Sequence, residues 1–107
     1  MSLEGLRRRF IVIASFGDRA TEDLYHGRQT SRTRRYPGEV IQRAIRKLDM
    51  LNAAHRLEDL RSPPGNSLEV LRGDLEGYYS IRVNNQWRII FRWVVSDATQ
   101  VTLTDYH

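Results

Sequence analysis

Hydrophobic positions along the chain change their period, and the changes divide it into three stretches. Residues 10–16 are apolar and β-branched and are bounded by Gly17 and Asp18, the pattern of a buried strand. From there the spacing becomes helical. Asp18 or Thr21 suits the cap of a short helix running through Leu24 and Tyr25 and ending near Gly27. Residues 28–36 are polar and basic without a period, and predict an exposed connection or a frayed helical start. Pro37 and Glu39 then suit the first turn of a longer helix. Val40, Ile41, Ala44, Ile45, Leu48 and Leu51 recur at three- and four-residue steps and predict one stripe packed on a sheet. Arg43, Arg46 and Lys47 lie off that stripe, and the helix is expected to stop around Ala54, with Asn52 and His55 as end residues.

The third stretch is β. Leu57 to Leu60 has room for one further turn at most, and Ser62-Pro63-Pro64-Gly65-Asn66 cannot continue a helix. Residues 68–71 predict a short strand, and Arg72-Gly73-Asp74 leads into a loop around Glu76 and Gly77. Residues 78–83 and 87–95 are apolar and aromatic strands split by Asn84-Asn85-Gln86, and residues 99–105 close the sheet after a turn at Ser96-Asp97. There is no repeat and no room for a second compact domain, so residues 1–107 are expected to be one α+β domain. Its expected architecture is an N-terminal strand and two helices packed on a largely antiparallel sheet that ends in a C-terminal meander.

The central hairpin yields a geometric expectation. Ile81 and Val83 face one way, opposite Ser80 and Arg82; Trp87, Ile89, Phe91 and Trp93 share a face, opposite Arg88, Ile90 and Arg92. Residues paired across a hairpin share a face. A two-residue loop would pair Arg82 with Trp87 and break the pattern. A three-residue loop of Asn84 to Gln86 pairs Val83 with Trp87 and Arg82 with Arg88, and asparagine suits the left-handed position such a loop often needs. Two arginines then meet on one outward face, where like charges directly opposite cost stability unless something anionic joins them.

Charge gives that pair a context. The net charge is +4 and Lys47 is the only lysine. Arginine presents a planar fork to phosphate and carboxylate, so an arginine-dominated basic protein points to nucleic acid or an acidic partner. Arg72, Arg82, Arg88 and Arg92, at strand ends or on the outward face, are candidates to hold an RNA backbone, and Tyr106, Tyr78 or Tyr79 to stack on a base. Glu69, on the short strand, is a candidate partner or proton acceptor among these arginines.

Other chemistries find little support. There is no cysteine, and His26, His55 and His107 are far apart in sequence, so no disulfide or zinc site is expected. No P-loop, dinucleotide fingerprint or acidic metal pair is present, and a chain that is half sheet fits a helix-turn-helix reader poorly. No apolar stretch approaches the ~20 residues of a membrane helix, and the run after Arg7-Arg8-Arg9 is too short for a signal peptide. A cytoplasmic protein without membrane contact is expected. His107 stands apart from the other histidines. It follows Thr104-Asp105-Tyr106 at the end of a closing strand, and a histidine side chain can donate or accept a proton near neutral pH, so it is a candidate proton donor or acceptor.

Three segments carry a resemblance: Leu57-Glu58-Asp59-Leu60-Arg61-Ser62-Pro63-Pro64-Gly65-Asn66, the run from Tyr79 through Arg82, Trp87 and Arg88 to Phe91, and the closing Asp105-Tyr106-His107. From about Ser15 to the C-terminus the chain resembles the HigB killer proteins of the RelE toxin superfamily. The resemblance implies a RelE-like fold, with residues 1–14 as an N-terminal extension that contributes in part to the first strand. It implies a toxin that binds the ribosomal A site and cleaves mRNA there without metal or other cofactor. The 2′-hydroxyl would attack the adjacent phosphate and the 5′-oxygen would leave. The implied partner is a HigA-like helix-turn-helix antitoxin, with operator DNA reached only through that antitoxin. Arg72, Arg82, Asn84, Arg88, Asp105, Tyr106 and His107 match the family's functional positions, the arginines to neutralise the phosphate and His107 to donate a proton. Some HigB proteins carry a histidine where this chain has Glu69, which leaves two expectations open. Glu69 acts as the base, or the chain is a catalytically weak or inactive ribosome- or RNA-binding relative that works mainly through its antitoxin complex.

Overall fold

The computed structural model describes residues 12–105. Two helices and a four-stranded sheet make an α+β fold. Helix α1 spans Arg19–Tyr25, α2 Gly38–Ala53, and the strands are β1 Glu69–Val70, β2 Tyr79–Arg82, β3 Arg88–Val94 and β4 Asp97–Thr104. The sheet is an antiparallel meander in the order β1-β2-β3-β4. Short 3-10 turns fill the connections, among them Leu57–Arg61, Pro64–Asn66 and Gly73–Leu75.

Capping decides where the helices start. The Asp18 carboxylate accepts from the Thr21 backbone N–H at 2.8 Å, which satisfies one of the donors a helix start leaves free. Pro37 sits one position earlier than expected, at the N-cap of α2. Val40, Ala44, Leu48 and Leu51 of α2 are buried against Ile81, Val83, Ile89, Phe91, Val101 and Leu103 of the sheet's inner face and its edge. Ile41 and Ile45 of the expected stripe are only half-buried. They border a cleft with Leu24, Gly27 and Thr33 beside α1, because the sheet takes a narrower strip of α2 than the sequence periodicity allots to it.

The expected N-terminal strand is corrected. Residues 10 and 11 lie outside the described residues, and from Val12 to Phe16 the chain makes two isolated parallel bridges with β4, Ile13 to Ala98 and Phe16 to Val101. Both chains advance three residues between bridges, where a regular parallel ladder advances two. Against β3 the same stretch of β4 carries one residue more, Thr99 to Thr102 opposite Arg92 to Ile90, and Gln100 there is in the left-handed region at φ 52°. The Ser15 hydroxyl accepts the Gln100 N–H at 2.9 Å and so substitutes for the missing ladder bond. The incoming chain is nevertheless fixed. Val12 and Ile13 are buried, and the Asn52 side chain of α2 accepts both of their N–H groups, at 3.2 and 3.1 Å.

Residues 28–36, read as an exposed connection, are organised around a buried carboxylate. Asp23 is 3% exposed and accepts from Arg32 Nε at 2.8 Å and from the Thr30 hydroxyl at 2.9 Å, with Arg28 Nη1 at 3.5 Å. The Arg32 hydrogen bond, reinforced by Thr30 and Arg28, holds the Asp23 carboxyl below its ordinary range against the opposing effect of burial.

Candidate RNA-binding face of the sheet

With helices on one face, the other face of the sheet is left to its own side chains. The β2–β3 hairpin has the expected register: Arg82 opposite Arg88, Ile81 opposite Ile89, Tyr79 opposite Phe91. Val83 N–H donates to the Trp87 carbonyl at 2.9 Å, closing a loop of Asn84 to Gln86. Asn84 builds this loop: its side-chain oxygen accepts from the Gln86 and Trp87 N–H groups at 2.8 and 2.7 Å. Trp87 faces inward and packs edge-on against Tyr36, with 5.4 Å between centroids.

The outward face forms three rows. The row nearest the hairpin loop holds Arg82, Arg88 and Thr104; the next holds Glu69, Ser80, Ile90 and Thr102. Tyr78, Arg92 and Thr99 make the third.

Arg88 is the best-fixed cation of this face. Its side chain is 15% exposed. Nε donates to the Ser80 hydroxyl at 2.8 Å, Nη2 donates to the Ser67 carbonyl at 2.6 Å, and Nη1 stands 3.7 Å from Glu69. Ser67 presents that carbonyl from a left-handed conformation, φ 44°, just after the Pro64–Asn66 turn. A guanidinium held on several sides has its orientation set before any ligand arrives. Glu69 is 55% exposed, so it offsets the charge of Arg88 only in part. Arg82, opposite, is tied to the loop by the Asn85 side chain.

The other expected site residues are distributed. Asp105 is exposed and accepts from Gln86 Nε2 at 2.7 Å, which ties the end of β4 to the hairpin loop. Arg92 lies in the third row. Arg72 is exposed and precedes the Gly73–Leu75 turn, with no described contact joining it to Arg88. Tyr106 and His107 lie outside the described residues. Of the two remaining tyrosines, Tyr79 faces the core and stacks on Phe91, with 6.0 Å between centroids, whereas Tyr78 is on the outward face. Among the described residues no group of three or more histidines or carboxylates is placed to hold a metal ion.

Sequence reasoning missed three participants. Ser67 and Ser80 fix Arg88 only once β1 and β2 are paired, which no local pattern announces. Lys47, read as an off-stripe helix residue, donates to buried Asn66, which itself donates to the Leu60 carbonyl at 3.1 Å. Burial, together with Arg43 and Arg82 nearby, pushes the Lys47 amine below its ordinary range. Positive charge therefore continues from the hairpin onto α2, where Arg43, Arg46, Lys47, Met50 and Val83 line a cleft of about 260 Å³.

Comparison with known proteins gives the family and the fold. A family model described as the RelE-like toxin of type II toxin–antitoxin system HigB matches residues 14–107. The chain is 46% identical over 79 residues to the toxin HigB-1 of Vibrio cholerae serotype O1, covering 74% of this chain and 81% of that protein. It is 31% identical over 96 residues to the endoribonuclease HigB of Proteus vulgaris, covering 90% of this chain and 100% of that one. Among solved structures, a chain of the YoeB–YefM complex from Staphylococcus aureus shares the fold, with a TM-score of 0.50 at 19% identity over 89% of this chain and 97% of its own.

Proposed function

The chain belongs to the HigB-like toxins, RelE-like proteins of type II toxin–antitoxin systems, and from that premise we propose that it is an endoribonuclease that cleaves mRNA in the ribosomal A site. The observation that carries the reading is the outward guanidinium pair, in which Arg88 is held on several sides beside Arg82 and is only partly neutralised by Glu69. Fixed donors aimed at developing charge lower a barrier without reorganising as the reaction proceeds.

In the proposed reaction the 2′-hydroxyl of an A-site nucleotide attacks the adjacent phosphorus. The P–O5′ bond breaks, leaving a 2′,3′-cyclic phosphate and a free 5′-hydroxyl. Arg88 and Arg82 neutralise the phosphoryl oxygens, with Arg72 contacting the neighbouring backbone. Glu69 accepts the proton of the attacking hydroxyl, and His107 gives a proton to the leaving oxygen. Asn84 shapes the hairpin, Asp105 steadies the chain end, and Tyr106 contacts RNA. Among the described residues there is no metal-ligand cluster, and cleavage is expected to survive EDTA wherever the ribosome itself stays intact.

A type II toxin works against an antitoxin. We assign that role here to a HigA-like helix-turn-helix protein, through which operator DNA is reached. Expression of the chain alone under a tight promoter, with and without the antitoxin, tests the reading. Growth arrest with truncated mRNAs, relieved by the antitoxin, is expected. Ribosome binding without new mRNA ends would instead identify an inactive binding relative.

A further inference from the structure

The third row of the outward face holds a feature the reaction above does not use. The Arg92 guanidinium lies over the Tyr78 ring, 4.6 Å from its centroid. Two neighbours fit this arrangement. Gly77 is at φ 91°, and a Cβ built there would stand 3.1 Å from Arg92 Nη1 and 3.5 Å from Cζ, so a side chain at 77 would require the guanidinium to give by a few tenths of an ångström. The Tyr78 hydroxyl donates to Gln100 Oε1. Gln100 reaches it from the bulge of β4, where its own backbone is left-handed at φ 52°. Such a conformation is costly for a residue with a side chain, and bulges beside functional sites re-aim side chains. Among the described residues no carboxylate lies within ion-pair distance of Arg92. A planar, layered cation and aromatic ring therefore stand half-exposed on the face that carries Arg88, about 13 Å further along β3 at ~3.3 Å per residue.

We propose that Tyr78 and Arg92 form a platform for one unpaired nucleobase of the mRNA, a short distance along the strand from the phosphate held at Arg88. The proposal rests on the nuclease reading and adds a contact to it. Aromatic rings and arginine planes stack on any base, so the platform positions the strand and does not read its sequence. Tyr78 and Arg92 are positioning residues here, since neither touches the reacting atoms.

The test crosses protein variants with substrate variants. Ribosomes with a vacant A site carry mRNAs in which one nucleotide at a time around the cleavage position is abasic, and single-turnover cleavage is measured for each. With the wild-type chain, one abasic position within two or three nucleotides of the cut is expected to slow cleavage on the order of 10-fold, the scale of a stacking contact. Tyr78→Ala and Arg92→Ala should cleave intact mRNA about that much more slowly and lose nothing further at that position. Arg92→Lys, which keeps the charge without the plane, should behave like Arg92→Ala, whereas Tyr78→Phe, which keeps the ring and guards against misfolding, should stay close to wild type. Equal sensitivity of wild type and variants at every abasic position would overturn the platform while leaving the nuclease intact. No cleavage of any mRNA by the wild type would remove the nuclease reading, and the platform with it.

Discussion

Arg28 and Arg32 converge on Asp23, whereas Arg82 and Arg88 stand opposite each other across the hairpin, each held by neutral groups. The first group shares a carboxylate that is 3% exposed and accepts hydrogen bonds from Arg32 and Thr30. In the second, Arg88 faces a carboxylate that is 55% exposed and 3.7 Å away, with a serine hydroxyl and a carbonyl supplying its remaining contacts. In the first group a buried acid is satisfied by two partly exposed arginines, and the result is a closed loop between α1 and α2. In the second, the fold immobilises a guanidinium with neutral acceptors and leaves much of its charge unspent. A chain this rich in arginine therefore does not declare its function by composition. What separates a structural arginine from one kept for phosphate is how completely the fold neutralises it.

Breaking the second group should have the largest effect. Arg88→Ala is expected to lower single-turnover cleavage of ribosome-bound mRNA by ~100- to 1,000-fold, the loss typical of removing a fixed charge-stabilising donor. Arg88→Lys should recover little, because an ammonium cannot span Ser80, Ser67 and the phosphate together. Removal of His107 alone is expected to cost at least ~100-fold, the low end for positioned acid–base catalysis. The two defects should differ in kind. An mRNA whose 5′-leaving oxygen is replaced by sulfur needs no proton on departure, so it should partly rescue the His107 deletion and leave Arg88→Ala slow. Full activity without His107 would shift the acid–base chemistry to Glu69 and the arginines.

How much of this was legible in the sequence follows from how local each signal is. The hairpin register needed only the alternation on either side of Asn84 to Gln86, and the paired arginines followed from it. The α1 cap and the long helix were readable for the same reason: the residues that decide them lie within one turn. The failures lie where a distant chain decides. Ile41 and Ile45 keep helical spacing, but the sheet covers a narrower strip of α2 and leaves them at the border of the α1 cleft. The N-terminal run has strand composition, but the bulge at Gln100 breaks its ladder with β4. Asp23 looks like an ordinary polar helix residue until Arg28, Thr30 and Arg32 fold back over it. Of the candidate site, the pairing of Arg82 with Arg88 was legible, and the seat that fixes Arg88 was not.

The first arginine group offers the converse test. Asp23→Asn should leave cleavage per folded molecule within about twofold of wild type, yet lower the melting temperature by ~5 °C or more, as expected when arginines lose a buried acceptor. Thermal unfolding followed by circular dichroism, beside the cleavage assay, checks both halves. A large loss of activity at unchanged stability would mean that the Asp23 loop belongs to the functional surface.

A smaller effect concerns acid. The folded Asp23 carboxyl is held low mainly by Arg32, and the folded Asp59 carboxyl mainly by the His55 and Arg56 backbone N–H groups, so both bind protons more weakly than in the unfolded chain. Their stabilisation is fully present above the ordinary carboxylate value of ~3.9 and fades as pH falls through the lowered folded values. Urea midpoints measured from neutrality down through this range should fall with pH. They should fall less steeply in Asp23→Asn, where Asp59 still contributes. An unchanged slope would show that the Asp23 pairing is not what acid removes.

The central claim is that the outward arginine face neutralises an RNA phosphate during 2′-hydroxyl attack on the ribosome, and the chemistry of the broken ends tests it most directly. Purified chain, ribosomes with a vacant A site and a defined mRNA are incubated, and both new ends are mapped and chemically typed. The account predicts a cut within the A-site codon, a 2′,3′-cyclic phosphate upstream and a 5′-hydroxyl downstream, with none of these products from Arg88→Ala on the same timescale. A 5′-phosphate product, or equal cleavage of the same mRNA free of ribosomes, would contradict it.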